Sequence, residues 1–393
     1  MARKRSGRAR KGTGSIYERG GRFVAQVDLG TMGNGSRDRR SRTFGTRELA
    51  EQWLMDLRTN RPLSDQPIAE QLVADYLRWW LEHEAPKGKP GRSPLSANTV
   101  DAYRTNIEKH LIPEIGDRRV GALTPGDLDA LAWRKAQAGL SPGSINRIRG
   151  TLRSALATAV RQDQLHRNVA QFGGGVGEEH RPVQRFTDDE LRLLFESARE
   201  HTRFWPLFLL LGRTGLRLGE GLGLAWRDVV NLDGEHPQLR VVNQLDKRNQ
   251  LVRPKSQHSV RTIGLRPEVA EALQRQRAIQ AESRDRAGDT WANHLDLVFT
   301  TATGKPVAKS NISGTGRVFE KVREHAGVPA IVERDIRRTV RTFRSTVGTQ
   351  LAEAGVHPEE ARQFLGHSSI SVTMRYYTGL RSDGSVALLL PEL

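Results

Sequence analysis

The first residues that could do chemistry are Arg217 and Glu220, in a leucine-rich segment. The surrounding leucines predict a helix that packs into a core: Leu216, Leu218, Leu222 and Leu224. Arg217 would then lie among buried residues, where an unpaired guanidinium is costly, so it needs an anionic partner. One interpretation is a structural ion pair with Glu220, one turn away. The other is that Arg217 binds a phosphate while Glu220 orients it.

Two later segments carry further cations. Lys255 lies in a turn that precedes a strand, and on its own it is a solvated turn lysine. Arg341 and Arg344 lie in a helical segment that ends near Gly355. Arginine is a good bidentate ligand for phosphate, so these residues suit the same anion as Arg217.

The last chemically suggestive segment contains His367 and, further on, the adjacent Tyr376 and Tyr377. An imidazole can donate to a phosphate oxygen, and a tyrosine hydroxyl can act as a nucleophile. The alternative is that the two tyrosines are core aromatics at the start of a helix. This alternative weakens when all four segments are considered together.

In this order, the four segments resemble the phage integrase family, whose members are tyrosine recombinases. The matching stretches are residues 214–229, 253–265, 341–355 and 365–379. The third is registered on Glu353-Ala354-Gly355, which makes Arg344 its key arginine. A register that uses Arg334 to Arg338 breaks the spacing to Gly355.

The resemblance implies a role for each matching residue. Arg217, Arg344 and His367 would bind the scissile phosphate, with Glu220 in support. Lys255 would be the general acid that protonates the departing 5′ oxygen.

One position departs from the family pattern, and another allows two assignments. Arg341 stands where the family usually has histidine, and an arginine can donate to phosphate but cannot accept a proton at neutral pH. The spacing from His367 permits either Tyr376 or Tyr377 as the nucleophile. Thr378-Gly379 resembles the residues that follow the family's nucleophile, which favours Tyr377.

The implied reaction conserves phosphodiester energy. Tyrosine attack would give a 3′-phosphotyrosyl enzyme and a free 5′ hydroxyl, which then attacks from the partner duplex. Neither ATP nor a metal is therefore expected, and we expect no cofactor. The sequence agrees, because it has no phosphate-binding loop motif and no carboxylate cluster of the kind that holds paired Mg²⁺ ions.

Composition favours a nucleic-acid partner. The chain has 393 residues and a formal net charge of +17, which predicts a polyanionic ligand. It has no cysteine, so disulfides, thiol nucleophiles and cysteine-based metal sites are excluded. We find no long apolar run and no signal-peptide pattern, and we expect a protein of the bacterial cytoplasm that associates with the nucleoid.

The pattern predicts a multidomain α+β protein. A small three-stranded sheet with one helix is expected in residues 1–62, and a helical domain in residues 66–172. Gly173-Gly174-Gly175 opens a flexible linker, residues 173–184. A mostly helical domain with a small β-sheet, residues 185–393, would hold the catalytic residues.

The two N-terminal domains resemble the arm-type and core-site DNA-binding domains of integrases. Arg22 lies in the predicted sheet, and Arg147, Arg149 and Arg153 lie on one predicted helix, where they would contact DNA. The resemblance implies double-stranded DNA with core and arm-type sites as partner. It also implies a homotetramer on synapsed DNA, and a directionality factor or DNA-bending host protein as a further partner.

Three other functions were considered. A housekeeping chromosome-resolution recombinase would lack the N-terminal arm-type module. A type IB topoisomerase shares the tyrosine chemistry, but two DNA-binding modules argue for site specificity. A non-catalytic DNA-binding protein on the same fold would explain Arg341 as decay, yet the other site residues are present.

Overall fold

The structure, a computed structural model, describes seven stretches of the chain: residues 14–31, 37–59, 67–91, 93–177, 183–254, 257–332 and 337–378. Side chains are not described at residues 28–31, 37–40, 55–59 and 257. Lys255, Arg334 and Gly379 lie outside the described residues. The chain forms two compact units, Met1–Glu179 and His180–Leu393.

The first unit begins with a three-stranded antiparallel sheet in the order β1-β2-β3. Its elements are β1 (Ser15–Arg19), β2 (Arg22–Thr31), β3 (Arg37–Phe44) and the following helix α1 (Arg47–Thr59). Gly20 and Gly21 form the turn between β1 and β2 with φ of +63° and +72°, a conformation that favours glycine. Ala25 and Val27 pack against Ala50 and Leu54 of α1.

The rest of this unit is helical. Its helices are α2 (Val73–His83), α3 (Ala97–Asn106), α4 (Ile112–Ile115), α5 (Pro125–Gln137) and α6 (Pro142–Arg161). Two buried hydrogen bonds join α2 to α6: Tyr76 Oη donates to Ala155 O at 2.7 Å, and Trp80 Nε1 donates to Thr158 Oγ1 at 3.1 Å. They satisfy polar groups within an otherwise apolar core.

Pro113 does not end the helical segment that begins with α3. A π-helical turn, Ile107–Leu111, connects α3 to α4, and Pro113 occupies the first turn of α4. Proline is tolerated there because the N–H groups of a first turn have no partner within that helix. The chain therefore stays helical through Ile115.

The glycines expected to open a flexible linker are packed and hydrogen-bonded instead. Gly173 and Gly174 are buried, and Gly174 N donates to Asp129 Oδ1 at 2.6 Å. A Cβ on Gly173 would lie 2.4 Å from the carbonyl oxygen of Pro125, so glycine is needed for this close approach. Sequence analysis could not distinguish glycine used for close packing from glycine used for flexibility.

The second unit contains α7 (Asp188–His201), α8 (Trp205–Thr214) and α9 (Leu218–Leu222), then a small β region. One sheet has the order β4-β5-β8, and β6 pairs with β7. The strands are β4 (Val229–Val230), β5 (Gln238–Val241), β6 (Gln244–Leu245), β7 (Leu251–Val252) and β8 (Arg261–Gly264). Further helices are α10 (Pro267–Ala287), α11 (Lys309–Ile312), α12 (Val318–His325), α13 (Arg341–Glu353), α14 (Pro358–Leu365) and α15 (Ile370–Tyr377).

Helix α8 lies at the centre of this unit. Its apolar residues are buried on all sides, and it packs against α7, α10 and α13. Phe343 of α13 contacts Phe186, Phe208 and Phe319 with ring centroids 5.3–6.3 Å apart. Packing of this kind fixes α13, and with it Arg344, relative to the end of α8.

Both units contain helices and small sheets, which confirms the predicted α+β class. In the part of the chain that the structure describes, no helix is long and apolar enough to cross a membrane.

Candidate active site

Glu220 is the buried anion around which the site is organised. Its carboxylate accepts from Arg217 Nη1 at 2.6 Å, from Arg217 N at 3.0 Å and from Arg261 Nη2 at 3.1 Å. Burial opposes the charged carboxylate, but Arg261 and Arg217 outweigh it and hold the pKa of Glu220 below its ordinary value. The carboxylate therefore stays ionised and fixes two guanidiniums.

Arg217 is not enclosed by the leucines that flank it in sequence. Leu216, Leu222 and Leu224 are buried, but the Arg217 side chain is 42% exposed. Arg217 is the N-cap of α9, so its side chain leaves the helix at an end instead of on the apolar face. The expectation of a buried Arg217 is wrong, and the open guanidinium is accessible to an external anion.

Arg344 is the buried arginine of the site, with 5% exposure. Its Nη1 donates to Gly215 O at 2.8 Å, and its Nη2 donates to Leu365 O. Burial, together with the charge of Arg217, lowers the pKa of Arg344 to about 9. Two backbone carbonyls orient this guanidinium without neutralising it, and its remaining N–H groups can bind an anion.

Two glycines at helix ends present the carbonyls that hold these arginines. Gly215 ends α8 with φ +64°, and Gly366 ends α14 with φ +66°. The carbonyl of Gly366 accepts from Arg217 Nη2 at 3.2 Å. Because both glycines adopt the left-handed conformation, each chain turns sharply and its carbonyl faces the site.

His367 follows directly and is 3% exposed. Its Nδ1 lies 2.9 Å from the hydroxyl of Thr373, which is fully buried. Burial and the nearby charges of Arg344 and Arg217 lower the pKa of His367 to about 3. The imidazole is therefore neutral at pH 7, with one N–H to donate.

An open cavity of about 480 Å³, which we call the arginine pocket, is lined by Arg217, Arg344 and His367. Its ionisable and aromatic lining residues are Arg217, Lys309, Arg341, Arg344, His367 and Tyr376. They come from α9, α11, α13, the α14–α15 connection and α15. The structure thus brings together five of the residues singled out from sequence: Arg217, Arg341, Arg344, His367 and Tyr376.

The two tyrosines of α15 are placed differently. Tyr376 lines the arginine pocket, with its ring centroid 6.0 Å from that of His367. Tyr377 is not among the lining residues, and its hydroxyl donates to Val356 O at 2.6 Å. Burial, with a smaller effect of Glu360, raises the pKa of Tyr377. The described geometry favours Tyr376, whereas the sequence comparison favours Tyr377.

The alternative register for the second arginine finds no support in the geometry. Arg338 is 3% exposed and makes a bidentate ion pair with Glu190, at 2.7 and 2.8 Å. It is absent from the lining of the arginine pocket. Lys255 lies outside the described residues, so its position relative to the pocket is not described.

The arginines proposed to contact DNA in the first unit fall into two groups. Arg22, Arg147 and Arg153 are exposed. Arg149 is half-buried, and it donates from Nε to Gly173 O at 2.6 Å and from Nη2 to Gln171 O at 3.0 Å. Arg149 therefore anchors the glycine segment to α6, and its contact with DNA stays a prediction.

Three residues of the site were not predicted from the sequence: Arg261, Lys309 and Thr373. Arg261 shares its strand side with the buried Ile263 and Leu265, and an arginine at such an inward position is a usable signal. Thr373 lies one helical turn before the tyrosines, so its position on the same face of the helix could also have been predicted from the spacing. No local pattern distinguishes Lys309, which reaches the pocket only through the tertiary fold.

Comparison with known proteins gives a consistent result. Residues 184–382 match the model of the phage integrase family. An integrase of Streptomyces ambofaciens is 28% identical over 390 residues, covering 96% of this chain and 94% of that protein.

Two solved structures resemble this one. The Tn1549 transposon integrase, in complex with a circular intermediate DNA, has a TM-score of 0.65 at 22% identity and covers 81% of this chain and 98% of that chain. A lambda integrase tetramer bound to a Holliday junction has a TM-score of 0.57 at 18% identity, covering 94% and 96% of the two chains.

The fold and the arginine pocket define a site-specific DNA recombinase of the tyrosine class. The chain belongs to the phage integrase family.

Proposed function

We propose that this integrase cuts and rejoins DNA in the arginine pocket through a 3′-phosphotyrosyl intermediate, and so inserts a phage or other mobile element into a bacterial chromosome. One observation carries the proposal. Arg217, Arg344 and His367 line a single open cavity together with a tyrosine of α15, although they come from distant parts of the sequence.

The arrangement suits a phosphodiester that gains negative charge during reaction. The tyrosine oxygen attacks phosphorus and its hydroxyl proton passes to water. The bond from phosphorus to the 5′ oxygen breaks, and that oxygen takes a proton from the general acid. Arg217 and Arg344 would bind the nonbridging oxygens, where charge accumulates in the transition state. Because backbone carbonyls and Glu220 already orient both guanidiniums, little reorganisation is needed when DNA binds.

His367 would contribute a neutral hydrogen bond. With a pKa of about 3, the imidazole carries no charge at pH 7. It would therefore donate one neutral N–H to the phosphate and add no positive charge to the pocket. Arg341 is exposed at the pocket lining and would donate to the same anion. It cannot accept the proton of the tyrosine hydroxyl at neutral pH. The general acid proposed for the departing oxygen remains Lys255.

The nucleophile is proposed to be one of the two tyrosines of α15. Tyr376 would attack with the helix in the described position. For Tyr377 to attack, its hydrogen bond to Val356 O would first have to break. Helix α15 would then have to rotate and carry the Tyr377 hydroxyl to the pocket. These two possibilities lead to different single-variant phenotypes.

A nicked suicide substrate tests the chemistry directly, because it traps the covalent protein–DNA adduct. We expect the adduct in the wild-type protein and none in the double variant Tyr376→Phe with Tyr377→Phe. If only Tyr376→Phe loses the adduct, Tyr376 is the nucleophile and the described geometry is the reactive one. If only Tyr377→Phe loses the adduct, Tyr377 is the nucleophile and α15 must move. Tyr103→Phe, in the first unit, is the control and should leave the adduct unchanged.

An adduct that persists in the double variant would overturn the proposal. A wild-type protein that binds its site but never forms an adduct would instead favour the non-catalytic DNA-binding protein. The housekeeping recombinase is distinguished by recombination products, since an integrase joins an element to a chromosomal site.

The domain roles are also proposals. The sheet with α1, residues 1–62, would bind arm-type sites, and the helical residues 66–172 would bind the core site, with residues 185–393 catalytic. Arg22, Arg147 and Arg153 are exposed and suited to phosphate contacts. We propose assembly as a tetramer on two synapsed duplexes in the bacterial nucleoid, assisted by a directionality factor or a DNA-bending host protein.

A further inference from the structure

Lys309 is a cation of the arginine pocket that the proposed mechanism does not use. It begins α11, and it lines the cavity together with Arg217, Arg344 and His367. The side chain is half-buried, so its ammonium is held near the pocket and not spread into solvent.

Contact with Gly219 shows where the ammonium lies. A Cβ built on Gly219 would be 2.6 Å from Lys309 Nζ and 2.7 Å from Cε. Gly219 is in α9, directly between Leu218 and Glu220, so the missing side chain gives Lys309 room beside the residues that hold Arg217. Any larger residue at position 219 would displace the ammonium.

Lys309 has no carboxylate in direct contact within the part of the chain that the structure describes. Every described carboxylate oxygen lies more than 4.0 Å from its Nζ, and the oxygens of Glu220 accept from Arg217 and Arg261. Burial lowers the pKa of Lys309, and Asp246 and Glu220 only partly oppose this effect. A half-buried cation in this state gains from an external anion.

We propose that Lys309 is a further substrate-contacting residue, whose ammonium binds a nonbridging oxygen of the DNA phosphate held by Arg217 and Arg344. This inference rests on the proposed function of the arginine pocket. It assigns Lys309 the stabilisation of phosphate charge and leaves the protonation of the departing 5′ oxygen to Lys255.

The test compares Lys309→Gln and Lys309→Arg with Lys305→Gln, which removes an exposed lysine from the same segment. We expect Lys309→Gln to slow adduct formation on the nicked substrate on the order of 100-fold, as for loss of one transition-state donor. DNA affinity should change by less than about threefold, since many other phosphate contacts remain. Lys305→Gln should match the wild type, and Lys309→Arg, which keeps the charge, should recover most of the rate.

A substrate with sulfur in place of the departing 5′ oxygen separates the two lysine roles, because that leaving group needs no proton. With this substrate, we expect adduct formation by Lys309→Gln to remain slow. Restoration of the Lys309→Gln rate by this substrate would overturn the proposal, as would a rate equal to that of Lys305→Gln. A rate for Lys309→Arg as low as that for Lys309→Gln would also overturn it, because the proposal requires only the charge.

The wild-type reaction keeps the two proposals apart. An adduct in the wild type with no effect of Lys309→Gln overturns this inference alone. The absence of any wild-type adduct overturns the proposed function and this inference with it.

Discussion

The Nδ1 atom of His367 and the hydroxyl of Thr373 lie 2.9 Å apart, and both residues are buried. When the hydroxyl donates to Nδ1, the ring keeps its hydrogen on Nε2, the nitrogen free to donate to phosphate. In that arrangement, one threonine on α15 sets which imidazole nitrogen of His367 carries the hydrogen.

Thr373→Val should therefore slow adduct formation by about tenfold, the value of one hydrogen bond of roughly 1.4 kcal/mol. Thr373→Ser, which keeps the hydroxyl, should stay close to the wild type. Ser371→Ala changes an exposed hydroxyl of the same helix and serves as control. Equal rates for the valine and serine variants would show that the hydroxyl has no such role.

Glu220→Gln should be strongly destabilising, because it leaves Arg217 and the buried Arg261 without their anion. Breaking a buried pair costs about 3–5 kcal/mol. Glu353→Gln removes an exposed partner of Arg185 and should cost no more than about 1 kcal/mol. Calorimetry of the full chain measures both, and a Glu220→Gln effect as small as the control would contradict the organising role of this carboxylate.

The pH dependence of stability should report the neutral state of His367. Its folded pKa of about 3 lies below the ordinary value of 6.5, so between these values the unfolded chain binds a proton that the folded protein does not. Stability from this group is complete above pH 6.5 and is lost as the pH falls towards 3. The free energy of unfolding can change by at most about 1.4 kcal/mol per pH unit through this single group.

Calorimetry between pH 7.5 and pH 5 checks this sign, with His367→Asn as comparison. Glu220 contributes at lower pH, because its folded pKa is below the ordinary carboxylate value and its effect is lost only as the pH falls through that folded pKa. The melting temperature of the wild type should fall more steeply than that of the variant. Parallel curves would rule out a depressed pKa for His367.

Gly348→Ala should disturb the tyrosine helix. A Cβ on Gly348 would lie 2.7–2.9 Å from ring carbons of Tyr376, which packs directly on this part of α13. Overpacking of this kind costs about 1–3 kcal/mol. Gly150, inside α6, has no atom within 4 Å of an added Cβ, and Gly150→Ala should stabilise by roughly 0.5–1 kcal/mol.

A double-variant cycle with Tyr376→Ala assigns the Gly348 effect to the ring. The cost of Gly348→Ala should largely disappear once the ring is removed. A cost that persists in the Tyr376→Ala background would place the clash elsewhere in the packing of α13.

Much of the local structure could be predicted because local chemistry determines it. The N-caps of α3, α5, α6 and α7 are Ser96, Thr124, Ser141 and Thr187, residue types that favour this position. Thr187 and Glu190 form the reciprocal capping pair that their spacing predicts.

The remaining features depend on contacts between residues distant in sequence. Arg149 is a phosphate ligand by its residue type, but Gly173 O and Gln171 O occupy its guanidinium. Flanking leucines suggested a buried Arg217, yet its position at a helix end leaves it open. The hydrogen bonds of Arg149 and the exposure of Arg217 could not be predicted from neighbouring residues, since each depends on the position of another segment.

The closeness of the charges of Arg217, Arg261 and Arg344 also bears on the lifetime of the free protein. Burial lowers the pKa of Arg344, and the charges of Arg217 and Arg261 add to this effect, so an anion bound in the arginine pocket would offset the repulsion. We therefore expect binding of nucleic acid to increase resistance to heat and to proteases. DNA-free molecules would then be degraded faster, and the amount of integrase that persists in a cell would depend on the DNA available to it.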